Sequence, residues 1–138
     1  MYEPFNYKSN NMDKIEIAPT STTPKISFRP EEGFFEISGK SLPENSFEFY
    51  KPLLDFMEAY AESPVNSTSL VFKLLYFNTS STSHFLRMIK KFEKISADGK
   101  VAVVHWYYDE DDEDMKEAGE DFRVLSKLPI EIIGAQLD

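Results

Sequence analysis

The sequence predicts a small α/β domain in which helices pack over a mixed β-sheet. Two stretches rich in aromatic and β-branched residues, 25–30 and 34–38, form a predicted hairpin around Glu31, Glu32 and Gly33. Helical patterns then alternate with strongly apolar segments. Helical crossovers between buried strands imply parallel pairing with right-handed connections. The order ββαβαβαβ therefore predicts a largely parallel sheet with an antiparallel N-terminal edge.

Length and composition indicate a single domain. The 138 residues are 41% hydrophobic and 14% aromatic, which suffices for one hydrophobic core. Residues 1–14 are polar and without a hydrophobic period, so we expect a loose extension before one domain at 15–138. We find no signal peptide, membrane-spanning stretch or cysteine, and we therefore expect a cytoplasmic protein without disulfides or thiolate chemistry.

The first predicted helix follows the hairpin. Asn45 or Ser46 can cap it, because their side-chain oxygens accept free amide hydrogens of a first turn. Apolar residues from Phe47 to Ala61 then recur with a period near 3.6. Pro52 disturbs the second turn, because proline lacks the amide hydrogen that a helix interior uses.

Two further helices and three strands follow along the chain. Segment 69–77 is almost continuously apolar, which predicts a strand covered on both faces. An apolar stripe at 85–95 predicts the second helix, and 101–108 predicts another buried strand. The pattern at 115–125 predicts the third helix, and 130–134 the last strand.

A run of six small polar residues, 78–83, connects strand 69–77 to the second helix. Such a run is typical of helix capping, which needs only one or two of its side chains. A phosphate placed here would also meet free amides at the positive end of the helix. Capping and phosphorylation therefore both remain open from the residues alone.

The acidic segment 109–121 holds nine of the chain's carboxylates and one lysine. Repulsion of phosphate backbones by this segment opposes nucleic-acid binding, and its charge favours a protein partner with a basic surface. The candidate partner contacts here are Tyr108, Asp111, Asp112 and Asp114.

Catalytic and metal-binding patterns are incomplete. Asp109, Asp111 and Glu113 alternate as in a calcium loop, but the central glycine and the distal glutamate are misplaced, so we predict no metal and no cofactor. There is no G-x-S-x-G motif, and we expect His84 at a helix start and His105 inside a buried strand, which assembles no triad. A small hydrolase or metal-dependent enzyme using the hydroxyl run and the acidic segment is the alternative.

Four ordered blocks of the chain resemble the SiaC family of bacterial regulatory phosphoproteins. These are "SLPENSFEFYKPLLDF" (41–56), "LLYFNTSSTSHF" (74–85), "WYYDEDDEDMKEAGEDF" (106–122) and "LPIEII" (128–133). The similarity extends over about residues 19–135. It implies a fold like that of the STAS anti-sigma-factor antagonists, which agrees with the predicted order of elements.

The resemblance also implies a function that is not enzymatic. In the family's best-understood system, the threonine of the N-T-S-S motif is phosphorylated by a dedicated kinase and dephosphorylated by a PP2C-like phosphatase. The unphosphorylated form activates a diguanylate cyclase, in cyclic-di-GMP signalling and biofilm formation. The motif threonine falls on Thr79, surrounded by Asn78, Ser80 and Ser81, and Thr82–His84 depart from the family pattern.

We therefore expect Thr79 to be a reversible phosphosite, while Asn78 or Ser80 caps the helix. A phosphate there would repel an acidic patch on the partner or block an apolar contact around Phe77 and Phe85. A structural adaptor that is never phosphorylated remains a further alternative.

Overall fold

A computed structural model describes residues 12–137 as three helices and a six-stranded sheet. The elements are β1 (Ile15–Ile17), β2 (Lys25–Arg29), a short 3-10 helix (Pro30–Glu32), β3 (Phe34–Ser41), α1 (Ser46–Glu62), β4 (Ser67–Phe77), α2 (Thr79–Ala97), β5 (Val101–Asp109), α3 (Glu113–Leu125) and β6 (Ile130–Ala135). The predicted order is confirmed from β2 onwards. Strand β1 was not predicted, and residues 1–11 of the expected extension lie outside the described residues.

The six strands lie in the sheet in chain order. β1, β2 and β3 pair antiparallel, and β3 to β6 pair parallel, so the predicted mixed sheet with an antiparallel N-terminal edge is confirmed. One transverse row of this sheet consists of Phe35, Leu70, Val104 and Ile130. All four side chains are buried and belong to the hydrophobic core.

The three helices pack on one face of the sheet. Each parallel crossover moves one strand further in the same direction, and right-handed connections then place every helix on the same side. Phe35 of β3 contacts Tyr60 of α1 and Phe92 of α2, with ring centroids 4.7 and 5.0 Å away. Trp106 of β5 contacts Phe122 of α3 at 5.2 Å.

The expectation that 69–77 is covered on both faces is therefore wrong. Alternate residues of β4, including Leu70 and Phe72, enter the core, whereas Lys73 lies on the opposite, uncovered face. Lys73 Nζ lies 3.6 Å from the Glu36 carboxylate and 4.9 Å from the centre of the Tyr107 ring. An apolar run does not distinguish a doubly covered strand from one whose outer face is shielded by neighbouring side chains.

His105 also lies on this uncovered face, and its predicted burial inside a strand is wrong. Its side chain is half-buried, and Nδ1 lies 3.1 Å from the carboxylate of Glu131 on β6. The neighbouring residue, Trp106, points to the helices and is fully buried, because successive strand residues face opposite sides.

Helix α1 begins as predicted but is not interrupted by its proline. Asn45 is the N-cap, and its Oδ1 accepts a hydrogen bond from the Glu48 amide at 3.1 Å. Pro52 lies on the exposed side of α1, where water can reach the carbonyl that loses its donor. Burial of Tyr50 and Met57 on the opposite side stabilises the helix through this point.

Helix α3 is positioned on the sheet through Trp106. The indole Nε1 donates a hydrogen bond of 2.9 Å to the carbonyl of Met115. A Cβ atom at Gly119 would lie 2.4 Å from Trp106 Cδ1, so the close approach requires glycine. Within residues 12–137, no helix is both long and apolar enough to cross a membrane.

Candidate functional site

The site begins at an irregularity near the end of β4. Gly39 of β3 pairs with Leu74, whereas the next residue, Lys40, pairs with Tyr76. Leu75 therefore has no partner on β3, which makes it the additional residue of a β-bulge. Because side chains alternate between the faces of a sheet, one additional residue reverses the faces that the following side chains occupy.

The bulge directs the last two side chains of β4. Phe77 turns towards the helices, with its ring 5.3 Å from Phe85 and 6.0 Å from Trp106. Tyr76 is instead 56% exposed. The chain then enters α2 at the carboxyl edge of the parallel strands, where functional groups often gather in α/β proteins.

Helix α2 begins within the hydroxyl run and not after it. Asn78 is the N-cap, with its Oδ1 3.1 Å from the amide of Ser81, and Thr79 is the first helical residue. The expectation of a connecting turn before Phe85 is therefore wrong. The small polar residues form the first turn and a half of the helix, because Asn78 supplies a cap as soon as β4 ends.

One exposed and several buried hydroxyls support this cap. Asn78 Oδ1 also accepts from the hydroxyls of Ser80 at 3.0 Å and Ser81 at 2.8 Å. Ser81 Oγ lies 2.7 Å from Ser41 Oγ, which lies 2.5 Å from the Tyr50 hydroxyl. We call Tyr50, Ser41, Ser81 and Asn78 the hydroxyl network. It joins the end of β3 to the second turn of α1 and the first turn of α2.

The Ser81 hydroxyl has two acceptors for its one proton, Asn78 Oδ1 at 2.8 Å and the Ser41 carbonyl at 3.2 Å, and both choices give the same proton order along the other hydroxyls. A carboxamide oxygen only accepts, and each hydroxyl donates once, so a Ser81 hydroxyl that donates to Asn78 must accept from Ser41. Ser41 in turn accepts from Tyr50. Burial raises the pKa of Tyr50 to about 12, although its hydrogen bonds with Ser41 and Ser81 oppose this increase. Tyr50 is therefore a protonated donor at neutral pH.

The Thr79 side chain differs from these neighbours. It is exposed, and its hydroxyl makes no hydrogen bond to any of residues 12–137. The amides of Thr79 and Ser80 precede the first intrahelical hydrogen bond of α2, so they remain available to an anion. Ser83 is also exposed, but its amide lies in the second turn and is used within the helix.

The sequence had suggested that His84 lies at the start of a helix. In the structure it is the sixth residue of α2. It is 4% exposed, and its ring stacks on Tyr50 with the centroids 5.1 Å apart. Its Nε2 lies 3.2 Å from Ser46 Oγ, whereas Nδ1 has no partner within the described part of the chain. Burial lowers the pKa of His84, with a smaller contribution from Arg87.

The pairing of Ser46 with His84 does not form a catalytic triad. A histidine that acts as a general base is oriented by a third group on its other ring nitrogen, and His84 Nδ1 has none among residues 12–137. In the described part of the chain, residues 12–137, no group of three or more His, Cys, Asp or Glu side chains is arranged to hold a metal ion.

The predicted partner contacts are only partly at the surface. Phe85 is fully buried, so its predicted role as a contact is wrong: its ring packs against Phe72 and Phe77. Phe77 and Tyr108 are half-buried. The bulge explains this result for Phe77, which it turns inward.

The acidic candidates have two different roles. Asp112 is the N-cap of α3, with its Oδ1 3.0 Å from the Met115 amide. Asp111 and Asp114 are exposed and border an open depression that Leu75 also lines. These two carboxylates are accessible to a partner, whereas Asp112 first serves the helix.

Sequence reasoning missed two exposed aromatic residues at this end of the molecule. The apolar period of α1 assigned Phe47 to the buried stripe, yet it is 60% exposed. Tyr76, at 56%, was concealed in an apolar run by the unforeseen bulge. The position of Phe47 immediately after a predicted cap was the available signal, since first-turn side chains are often uncovered.

Comparisons with known proteins agree with the resemblance of the four blocks. A family model described as "SiaC family regulatory phosphoprotein" matches residues 17–135. The chain is also 30% identical over 121 residues to an uncharacterized protein of Pseudomonas aeruginosa strain UCBPP-PA14, covering 88% of this chain and 96% of that protein. The predicted family is confirmed.

Solved structures agree with the fold as well. Apo-SiaC from Pseudomonas aeruginosa matches with a TM-score of 0.81 and 29% identity, covering 88% of this chain and 99% of that one. A chain from the crystal structure of the diguanylate cyclase SiaD in complex with its activator SiaC, from the same organism, matches with a TM-score of 0.82 and 29% identity, over the same shares of the two chains.

Proposed function

The chain belongs to the SiaC family of regulatory phosphoproteins, and we propose that it is a phosphorylation-switched protein-binding module without catalytic activity of its own. Reversible phosphorylation of Thr79 controls its binding to a diguanylate cyclase or a similar signalling partner. The solved complex of the cyclase SiaD with its activator SiaC supports this class of partner. Its role is therefore in cyclic-di-GMP signalling.

The observation that supports Thr79 is its position at the first residue of α2. Its hydroxyl is exposed and unbonded within residues 12–137, directly beside amides that lack intrahelical partners. Ser80 and Ser81 are less suitable, because their hydroxyls already donate to Asn78. Ser81 is in addition fully buried.

The fold accommodates the phosphate without rearrangement. Phosphorylation adds roughly two negative charges and three acceptor oxygens, which the positive end of α2 and its free amides favour. The hydroxyl network holds the cap from the interior and does not include Thr79. A dedicated kinase and a PP2C-like phosphatase add and remove the group at this accessible position.

Phosphotransfer can be tested with Thr79→Ala and a matched control, Ser83→Ala. Each protein is incubated with the cognate kinase, and intact mass and peptide mapping follow the modification. We expect one added phosphate on the wild-type protein and on Ser83→Ala, and none on Thr79→Ala. Modification of Thr79→Ala to the same extent, or of another residue in the wild-type protein, would refute the assignment.

A further inference from the structure

Strand β6 forms one edge of the sheet, and no strand pairs with its outer side within residues 12–137. The carbonyls of Pro129 and Ala135 accept hydrogen bonds of 3.0 and 2.9 Å from β5 and the residue that follows it. Backbone groups of successive strand residues point to opposite sides, so the amides and carbonyls of Ile130, Ile132 and Gly134 point away from β5. Such a row of unpaired groups can bind an added strand.

The two edges of the sheet differ in how well they are protected. At the opposite edge, β1 has only three residues, and a short edge strand offers little to pair with. β6 has six residues and contains no lysine or proline, the residues that commonly block an edge. Its one charged residue, Glu131, lies on the uncovered face and pairs with His105. The edge of β6 is therefore open to strand addition.

Tyr108 reaches over this edge from β5. It pairs with Gly134 in the sheet, and a Cβ atom at Gly134 would lie 3.0 Å from the Tyr108 hydroxyl oxygen. The phenol therefore occupies space that a side chain on β6 would otherwise take. In the part of the chain that the structure describes, this hydroxyl has no hydrogen-bond partner, so it is available to a strand that pairs with β6.

The ion pairs between α1 and α2 show which flank of a helix faces towards β6. Glu58 and Glu62 of α1 each follow a buried, sheet-facing residue by one position, and they pair with Lys91 and Lys94 of α2. All three helices belong to right-handed crossovers and run opposite to the parallel strands. On α3, the residue directly after a sheet-facing residue therefore points the same way, which is away from α2.

On α3 this flank carries two cations. Lys116 follows Met115 and Arg123 follows Phe122, and the side chains of Met115 and Phe122 are buried against the sheet. Since α3 is the last helix of the described chain, both cations lie above the open edge of β6. Neither forms an ion pair with any residue between 12 and 137.

Two carboxylates near the edge lie further from it than these cations. Glu120 follows Lys116 by four residues, so its side chain is rotated about 40° further from the sheet. Glu110 lies past the end of β6, where its amide bonds to the last residue of that strand. The groups directly over the edge are therefore the Tyr108 hydroxyl and the two cations.

We propose that the open edge of β6 binds an extended segment of a partner protein by strand addition, with carboxylates on the side of that segment that faces α3. Lys116 and Arg123 are about 10.5 Å apart along α3, so they reach carboxylates two or four residues apart on the added strand. Tyr108 adds a hydrogen bond from its hydroxyl. The inference goes beyond the proposed function, because it depends neither on Thr79 nor on the cyclase.

A second copy of this chain is a less favourable occupant of the edge. Two-fold pairing of β6 with itself places α3 beside α3, so the same two cations of each copy face one another. Each copy also has a net charge of −9, which opposes self-association. Charge complementarity therefore favours an acidic strand from another protein.

Hydrogen exchange of the free full-length protein tests whether the edge is open. We expect the amides of Ile130, Ile132 and Gly134 to exchange at least about 100-fold faster than those of Glu131 and Ile133, which face β5. Equal protection of both sets would overturn the inference. Protection of the outer amides that increases with protein concentration would assign the edge to a second copy and overturn the choice of occupant.

Binding is tested with a synthetic octapeptide in which glutamate alternates with valine, and with a control octapeptide in which lysine replaces each glutamate. Each peptide is titrated into the full-length protein and followed by NMR at amides 130, 132 and 134. We expect the glutamate peptide to protect these amides, with a Kd at least about tenfold below that of the lysine peptide. Equal Kd values, or no binding of the glutamate peptide up to about 5 mM, would overturn the inference.

Charge reversal tests the assigned cations. Lys116→Glu combined with Arg123→Glu should raise the Kd of the glutamate peptide at least about tenfold and make the lysine peptide the preferred one. Lys25→Glu combined with Lys40→Glu changes the net charge equally at exposed positions of β2 and β3, and it should change Kd less than about twofold. Thermal unfolding shows that both variants are folded. Equal losses in the two would attribute binding to net charge and refute the assigned surface.

Discussion

Helices α2 and α3 begin in similar ways but differ in charge. Both follow the carboxyl end of a parallel strand, and both are capped by a side-chain oxygen, from Asn78 in α2 and Asp112 in α3. The first turn of α3 contains Glu113 and Asp114, whereas the first turn of α2 contains no acid. The partial positive charge at the start of α3 is therefore already compensated by the carboxylates of Glu113 and Asp114. The same charge at the start of α2 remains available to an added anion.

The two caps also differ in what supports them. Asn78 is held by buried hydroxyls that reach through Ser81 and Ser41 to Tyr50. Among residues 12–137, the Asp112 side chain bonds only to the backbone amide of Met115. A neutral first turn with internal support is what a phosphorylation site at a helix start requires, because the cap must persist when the charge changes.

The largest expected effect concerns the proton on Tyr50. Its pKa is raised from 10.0 to about 12, so above pH 10 the unfolded chain loses this proton while the folded protein retains it. Stability is therefore fully present below pH 10 and falls by up to about 3 kcal/mol as the pH rises to 12. Chemical denaturation across this range provides the measurement.

Tyr50→Phe is the control for the alkaline effect. Burial also raises the pKa of Tyr60, so the difference between the pH profiles of the wild-type protein and the variant isolates Tyr50. Parallel profiles between pH 9 and 12 would show that Tyr50 is not held as a buried donor.

The second effect concerns the centre of the hydroxyl network. Ser81→Ala deletes a buried hydroxyl that contacts both Asn78 and Ser41, which should lower the free energy of unfolding by about 2 kcal/mol. Ser83→Ala removes an exposed hydroxyl of the same helix and should change it by less than about 0.5 kcal/mol. Equal effects in urea unfolding would mean that the network does not support the cap.

A third substitution gives the start of α2 the charge found in α3. Asn78→Asp keeps a good cap, so the unphosphorylated variant should match the wild-type protein within about 0.5 kcal/mol. Phosphate on Thr79 then lies beside a carboxylate. We expect phosphorylation to lower the melting temperature of this variant but not that of the wild-type protein. If phosphorylation shifts both melting temperatures equally, the neutrality of the first turn has no consequence.

The last prediction concerns the acidic segment, where the expected effect is on the rate of association and not on the fold. Replacing Asp111, Asp112 and Asp114 with Asn preserves the α3 cap, because Asn caps about as well as Asp, and should cost less than about 1 kcal/mol. Association with a basic partner should slow, and its salt dependence should weaken. Stopped-flow association rates that do not change would assign these carboxylates to solubility alone.

The elements of the fold were predictable because their periods are local properties. The helical stripes at 47–61 and 85–95 and the apolar strands indicated the order of elements, and right-handed crossovers then determined the parallel pairing. The sequence of β4 could not show that helices cover only one face of the sheet, because the outer face of this strand also carries the apolar residues Val71 and Leu75.

The site was predictable in position but not in detail. Thr79 lies at the junction between a strand and a helix, and both elements are indicated by local features. The contact between Ser41 and Ser81 joins residues forty positions apart, and no periodic pattern specifies such a pair. The bulge at Leu75 interrupts an apolar run without a glycine or proline to mark it, so the exposure of Tyr76 and the inward turn of Phe77 were concealed.

The most direct test of the phosphorylation switch compares partner affinity for three forms of the protein. Unmodified protein, protein phosphorylated on Thr79 and the Thr79→Ala variant are titrated into the diguanylate cyclase under identical conditions. We expect the unmodified protein and Thr79→Ala to bind with equal Kd, and the phosphorylated protein to bind at least about tenfold more weakly, since a desolvated dianion costs more than about 1.4 kcal/mol. Equal affinity of all three forms would contradict the account.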